Sequence, residues 1–340
     1  MDRSAIADPP VSAPDAANSA WKTGLGMVLP PAALSVICVL GVGVGYLLFH
    51  ALAELFSILI ALTALVVATT SRQFTKNHFV VFIAVAIGWC SVLDLAHTLA
   101  FKGMGLLPGD SANPATQLWV AARFLQALSL LAAPLFLRRS VRVSYLHLSL
   151  GLLVLAILLA IVGGIFPTAY VDGQGLTHFK IYAEYLIIAL FSVSLLVFWR
   201  QRALLSPGLF YCLGAAVLAM MLSEFAFTRY VSVYATANLV GHLFKIFAYW
   251  FVYVALVQNT LQEPFAMLAR AASTYDAVPD PTLVVQADGT VLQANQAAAR
   301  YAGMAVEALV GQSSHALFHD PAVSPEDCPA CARIASAAGK

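Results

Sequence analysis

Long apolar runs dominate this sequence and restrict what it can fold into. A helix needs about 20 apolar residues to cross a bilayer, because it rises about 1.5 Å per residue. The runs cover residues 28–47, 50–70, 78–101, 115–137, 144–165, 178–199, 207–229 and 236–258. Charged residues are 10% of the chain, whereas soluble proteins average about a quarter. We therefore predict an all-α polytopic membrane bundle of about eight transmembrane helices in contact with the lipid bilayer. The division of residues 27–70 into two spans rests on one stretch, GVGVGYLLFH.

Basic residues mark alternate connections between these runs. They are Arg72 and Lys76, then Arg138, Arg139 and Arg142, then Arg200 and Arg202. Lys and Arg collect in cytoplasmic loops, so these connections are predicted to face the cytoplasm, together with both termini. The net charge of +1 and the scattered basic residues predict no nucleic-acid partner.

The chain outside the spans divides into three further segments. Residues 1–26 are small, polar and proline-bearing, which predicts a disordered cytoplasmic tail before the transmembrane region of residues 27–262. Residues 263–275 are predicted to form a linker helix. In residues 276–340 the pattern changes to TLVVQ, an Asp288-Gly289 turn, TVLQAN and the helical QAAARYAG. This order predicts a small soluble α+β domain.

Ionisable residues occur inside the spans at one depth. Such residues are costly in a bilayer, and each one is a candidate for function. At 1.5 Å per residue, all of them lie within roughly 12 Å of the outer ends of their helices. We predict that they form one buried ligand-binding cluster in the outer half of the bundle. Its members are His50, Glu54, Asp94, His97, Arg123, Glu184, Glu224, His242 and Lys245.

The histidines in this cluster are candidate metal ligands. Imidazole binds transition metals, and nearby carboxylates commonly fix the ring tautomer. His50, His97 and His242 are therefore predicted to hold a transition-metal ion. In the alternative, two of them are the axial ligands of a haem in a redox protein. A transporter ranks last, because neither an inner polar path nor inverted repeats are visible.

A structural role is the competing interpretation for the other cluster residues. Buried charges are usually paired, and salt bridges from Arg123 to Glu184 and from Lys245 to Glu224 would tie helices together. The chain carries no phosphate-binding glycine loop, nucleophile elbow or metalloprotease motif, so no catalytic residue is predicted.

Several motifs in order resemble one family. FHALAELFSILIAL, LDLAHTLAFKGMG, NPATQLWVAARFLQALSLLAAPLF and LSEFAFTRYVSVYATANLVGHLFKI look like the membrane-associated sensor domain called MASE3. The resemblance covers about residues 27–262. It implies a sensory input module in the bacterial inner membrane, as in sensor histidine kinases and diguanylate cyclases, which signal as homodimers. It does not imply a particular ligand.

The region after Ala271 resembles the beginning of a PAS domain. We expect this domain to be partial and the chain to be a piece of a longer signalling protein whose kinase or cyclase output is missing. His315, His319, Cys328 and Cys331 form an H-x3-H-x8-C-x2-C pattern. The spacing between the pairs is shorter than in common zinc fingers, and similar Cys-Pro-x-Cys tails occur in PAS domains, so the sequence alone does not assign zinc here.

Overall fold

The computed structural model describes residues 13–73, 77–105, 111–228, 234–319 and 322–337. Contacts divide the chain into two compact units, Met1–Gln262 and Glu263–Lys340. The first unit contains eight helices long and apolar enough to cross a membrane, which confirms the predicted polytopic α-helical bundle. They are α1 (Ala13–Val42), α2 (Tyr46–Thr70), α3 (His78–Ala100), α4 (Asn113–Ala132), α5 (Val143–Val162), α6 (His178–Arg200), α7 (Pro207–Phe227) and α8 (Thr236–Val252).

The first two spans separate where the sequence predicts a break. Residues 43–45 form a turn in which the backbone N–H of Gly43 bonds to the carbonyl of Leu40, and α2 begins directly after it. The start of α1 corrects the predicted tail over residues 1–26. The helix already begins at Ala13, in an alanine-rich segment that favours helix, while residues 1–12 lie outside the described part of the chain.

Three helices of the bundle begin at a residue whose side chain caps the first turn. Asn77, Thr177 and Ser206 accept hydrogen bonds from backbone N–H groups in the first turns of α3, α6 and α7. Each cap satisfies an N–H that has no partner within the helix. The short strands β1 (Tyr170–Val171) and β2 (Gly175–Leu176) pair as a hairpin between α5 and α6.

Burial differs strongly among the spans. In the most apolar window of α3, 78% of the residues are buried, against 17% in α1 and 11% in α5. Helix α3 therefore occupies the centre of the bundle, and α1 and α5 lie at its edge. Lipid tails are as apolar as leucine, so the exposed leucines of α5 carry no solvation penalty in a bilayer.

Glycines allow close helix contact at defined points. A Cβ at Gly241 of α8 would lie 2.5 Å from the ring of Phe227 on α7, and one at Gly88 of α3 would lie 2.8 Å from Leu65 on α2. Side chains at these positions would force the helices apart. The same device recurs in membrane bundles, where small residues let helices approach.

Helix α8 is followed by a π-helical segment, Tyr253–Gln258, and then by α9 (Asn259–Ala277), which contains the predicted linker. The C-terminal unit has the antiparallel strands β3 (Leu283–Val285) and β4 (Val291–Ala294), joined through Gly289 at φ +84°. Four short helices follow: α10 (Gln296–Ala302), α11 (Val306–Leu309), α12 (Ser314–Phe318) and α13 (Pro329–Ala337). The predicted strand, turn, strand and helix order is confirmed.

Candidate functional site

The predicted cluster residues lie at one end of the helix bundle and are buried. They lie within the first eleven residues of α2, α4, α6 and α8 and within the last seven residues of α3 and α7. Because consecutive spans run antiparallel, these helix ends meet at the same side of the bundle. Each of these residues is at most 5% exposed. They are His50, Glu54, Asp94, His97, Arg123, Glu184, Glu224, His242 and Lys245.

Asp94 is the centre of an ionic network between three helices. Its carboxylate accepts two hydrogen bonds from Arg123, at 2.5 and 2.6 Å, and one from Lys245 at 3.3 Å. The hydroxyl of Tyr249 donates a further bond to Asp94 at 3.2 Å. Both bonds from Arg123 come from its Nη2 atom, and charge-assisted hydrogen bonds of this kind are short and strong, so α3, α4 and α8 are held in one arrangement around the carboxylate.

Glu54 joins the network to the histidines. Its Oε2 accepts a hydrogen bond from Lys245 at 2.6 Å, and its Oε1 lies 3.1 Å from Nδ1 of His242. The Oε1 and Nδ1 atoms are not aligned for a hydrogen bond. The carboxylate is therefore anchored through one oxygen, while the other points at the His242 ring.

His50 and His97 face each other across the site. Their Nε2 atoms are 3.3 Å apart, and Nδ1 of His97 lies 2.7 Å from the carbonyl oxygen of Ala115. A carbonyl accepts only an N–H, so Nδ1 of His97 is protonated. If the ring is neutral, its Nε2 carries a lone pair directed at His50.

Nδ1 of His50, Oε1 of Glu54 and Nδ1 of His242 are among the buried cluster atoms without an aligned hydrogen bond to the described residues, although the last two lie 3.1 Å from each other. These three residues also offer one donor atom each within 4.8 Å of the others, as a metal site requires. Buried polar atoms without a partner are rare and indicate a water or an ion. This group shares His50 and His242 with the predicted set of three histidines and contains Glu54, while His97 lies beside His50.

The predicted salt bridges of Glu184 and Glu224 are wrong. Glu184 pairs with Lys180 one turn away on α6, and Glu224 accepts a hydrogen bond from Nε1 of Trp119 at 3.2 Å. Depth along a helix is readable from sequence, but the rotation of each helix, which selects the partner, is not. Lys180 was missed as a cluster member, although it is fully buried and interacts electrostatically with Glu224 and Arg123. Its i,i+4 spacing to Glu184 was the available signal.

A family model described as a membrane-associated sensor domain, MASE3, matches residues 44–264. The chain belongs to the MASE3 family. A second model, described as a PAS fold, matches residues 275–337 of this MASE3 protein. Together these domains make the chain a membrane sensory input module of a signalling protein. No curated protein and no solved structure shows a significant similarity to it.

The space beside the MASE3 cluster is small. A cavity of about 20 Å³ is bordered by His97, Phe101, Trp119, Phe227 and His242. That volume holds one water or a small ion. The ring centroid of His50 lies 5.3 Å from that of His97 and 4.8 Å from that of His242.

Polar contacts also occur at the rim of the MASE3 site. Lys102, which follows α3, forms a 2.9 Å ion pair with Asp172 in the hairpin between β1 and β2. The hydrogen bond from Lys102 holds the pKa of Asp172 below its usual value. The backbone carbonyl of Lys102 accepts a hydrogen bond from the hydroxyl of Tyr234 at 2.9 Å.

The PAS region contains a separate group of candidate metal ligands. His315 and His319, at α12, converge with Cys328 and Cys331, at the beginning of α13. One donor atom from each of the four residues lies within 4.8 Å of the others.

Proposed function

We propose that this MASE3 sensor binds a transition-metal cation at His50, Glu54 and His242. In the proposed topology the site lies in the outer half of a bacterial inner membrane, with both termini in the cytoplasm. One observation carries the proposal: His50, Glu54 and His242 are buried and each offers a donor atom within 4.8 Å of the others, and Nδ1 of His50 has no hydrogen-bond partner among the described residues. Two imidazoles and one carboxylate are suited to zinc, iron, copper or manganese.

The surrounding residues suit a positive ion. Lys245 neutralises Glu54 through its other oxygen, and Arg123 neutralises Asp94. Among the described contacts, Glu224 is bonded by Trp119 rather than by a cation. The cluster contains four carboxylates, on Glu54, Asp94, Glu184 and Glu224, but three fixed cations, on Arg123, Lys180 and Lys245, and this surplus of negative charge favours occupation by a cation.

Helix α8 is the proposed route for the signal. It carries His242 and Lys245 at the site, and the π-helical segment Tyr253–Gln258 follows it. Single π-helical turns within helices occur frequently at functional sites. A cation that binds one packing of α8 better than another shifts the population between the two. The shift passes to the PAS domain and to a kinase or cyclase output in a longer, homodimeric protein.

Metal titration of the purified chain tests this function. Zn²⁺, Cu²⁺ and Mn²⁺ are added separately to detergent-solubilised protein carrying Cys328→Ser and Cys331→Ser, so that the PAS-region group cannot contribute. We expect stoichiometric binding of at least one ion. His50→Ala or His242→Ala should weaken it by more than about 100-fold, and His97→Ala, beside the ligands, by about 10–100-fold.

His178→Ala is the matched control, because His178 is exposed at the beginning of α6. It should bind metal as the parent does. Size-exclusion profiles and thermal unfolding check that each variant is folded. Equal affinity in the parent, His50→Ala and His242→Ala would refute the proposed site.

A further inference from the structure

A second cluster with ligand geometry lies outside the membrane bundle. His315 and Cys328 are buried in the C-terminal unit, while His319 and Cys331 are half-buried. We infer that these four residues form a structural zinc site in the PAS region. The site is independent of the cation proposed for the bundle, and none of its ligands belongs to a membrane span.

The distances between donor atoms match a tetrahedron. Sγ of Cys331 lies 3.3 Å from Nδ1 of His315 and 3.4 Å from Nδ1 of His319, and Sγ of Cys328 lies 3.5 Å from Nδ1 of His319. Zinc bonds of about 2.3 Å to sulfur and about 2.0 Å to nitrogen separate the two donors by about 3.5 Å in a tetrahedral site. The side chains are thus arranged around one point at ligand distance.

The neighbours of the ligands favour metal-binding forms. Nε2 of His315 lies 2.8 Å from the carbonyl oxygen of Val323, so it carries the proton and leaves Nδ1 with a lone pair toward the cysteines. A neutral imidazole with a free lone pair is the form that binds a metal.

The position explains what the ion does. The apolar core of this unit is small. Among the described residues, its buried members are Val291, Leu309 and three alanines. Small cores are commonly reinforced by a structural metal. A zinc ion would tie α12 to the beginning of α13. A cavity of about 350 Å³, bordered by His315 and Cys331, provides an entry path.

Cobalt substitution of the full-length chain in detergent tests the site. Reduced, metal-free protein is titrated with Co²⁺, which gives a charge-transfer absorption only when thiolates are ligands. We expect this absorption in the wild-type protein, its complete loss in the Cys328→Ser/Cys331→Ser variant, and displacement of cobalt by Zn²⁺. The cation site of the bundle has no cysteine ligand, so it does not give this signal.

Cys212→Ser is the matched control, because Cys212 is a buried cysteine of α7 outside both groups. It should leave the absorption unchanged. His319→Cys keeps four metal ligands and adds a third thiolate, so it should increase the absorption. This result would show that the double serine variant loses the signal because it lacks ligands and not because it is unfolded. No thiolate absorption in reduced wild-type protein, or a Cys328 to Cys331 disulfide that persists in reductant, would overturn the inference.

Discussion

At the residue scale, the Asp94 network shows how the bundle tolerates buried charge. Two carboxylates, Asp94 and Glu54, face two cations, Arg123 and Lys245, and all four are fully buried. A buried pair contributes little net stability compared with apolar residues, but removing one partner leaves an uncompensated charge. The main effect of the network is therefore to determine which helices pack together, and its net contribution to stability is small.

Arg123→Met should destabilise the bundle strongly. The substitution replaces the guanidinium group with an apolar side chain of similar length. Asp94 then loses the partner that bonds both of its oxygens, and leaving a buried charge without its partner typically costs about 3–5 kcal/mol. The free energy of unfolding in mixed detergent micelles measures the loss. Adding Asp94→Leu removes the stranded charge, so the double variant should recover part of it. A double variant less stable than Arg123→Met would contradict this account.

The Lys102 to Asp172 pair provides the control. Its side chains are 28% and 42% exposed, so Lys102→Met should cost no more than about 1 kcal/mol at neutral pH. The pKa of Asp172 is lowered in the folded state, chiefly by the hydrogen bond from Lys102. The contribution of this pair is therefore present above the unfolded pKa and disappears as pH falls through the folded pKa.

Which charged residues are buried together could be predicted from the sequence. Apolar surroundings make every intramembrane charge conspicuous, and residues such as Glu54, Asp94 and His242 do converge. Their partners were not predictable, because contacts across helices depend on helix rotation. The presence of Glu54, and not His97, in the group with converging donor atoms has this origin.

At the element scale, α7 and α8 pack closely together at Gly241. A Cβ there would lie 2.5 Å from Phe227, whose ring packs edge-on against His242 with centroids 5.2 Å apart. Gly241→Ala should therefore displace Phe227, cost about 1–3 kcal/mol and weaken metal binding at His242. Unfolding and metal titration measure the two effects.

Gly214→Ala is the matched substitution on α7, since no atom lies within 4 Å of the position of its Cβ. It should stabilise the protein by about 0.5–1 kcal/mol, because alanine favours helix, and leave metal affinity unchanged. Equal effects of Gly241→Ala and Gly214→Ala would show that contact with Phe227 is unimportant.

Helix boundaries were predicted to within a few residues, except at the N-terminus. Hydropathy marks where a helix enters lipid, and caps such as Thr177 and Ser206 reinforce that signal. The part of α1 from Ala13 to Gly26 precedes the apolar run, so the hydropathy pattern does not include it.

At the scale of the whole molecule, the number of spans and the distribution of basic residues predict the topology. If all eight candidate spans cross the membrane, both termini lie on one side, and the basic connections predict that this side faces the cytoplasm. The exposed residues Arg139, after α4, and Asp172, before α6, should lie on opposite sides of the membrane.

Labelling of intact cells tests this topology. A maleimide that does not cross membranes should label Asp172→Cys directly and Arg139→Cys only after permeabilisation. Wild-type protein supplies the background from its own cysteines, which lie in spans or in the C-terminal unit. Labelling of Arg139→Cys in intact cells would reverse the predicted orientation.

The location of the cluster near one end of the bundle has an electrical consequence. If that end faces outward, an entering cation crosses part of the membrane field before it reaches His50 and His242. Moving one charge through the whole field is worth about 2.3 kcal/mol per 100 mV, and a divalent ion gains a fraction of twice that. Occupancy of the site then depends on the membrane potential as well as on the external metal concentration. At one metal concentration, the site is filled when the membrane is energised and empty when the membrane is depolarised.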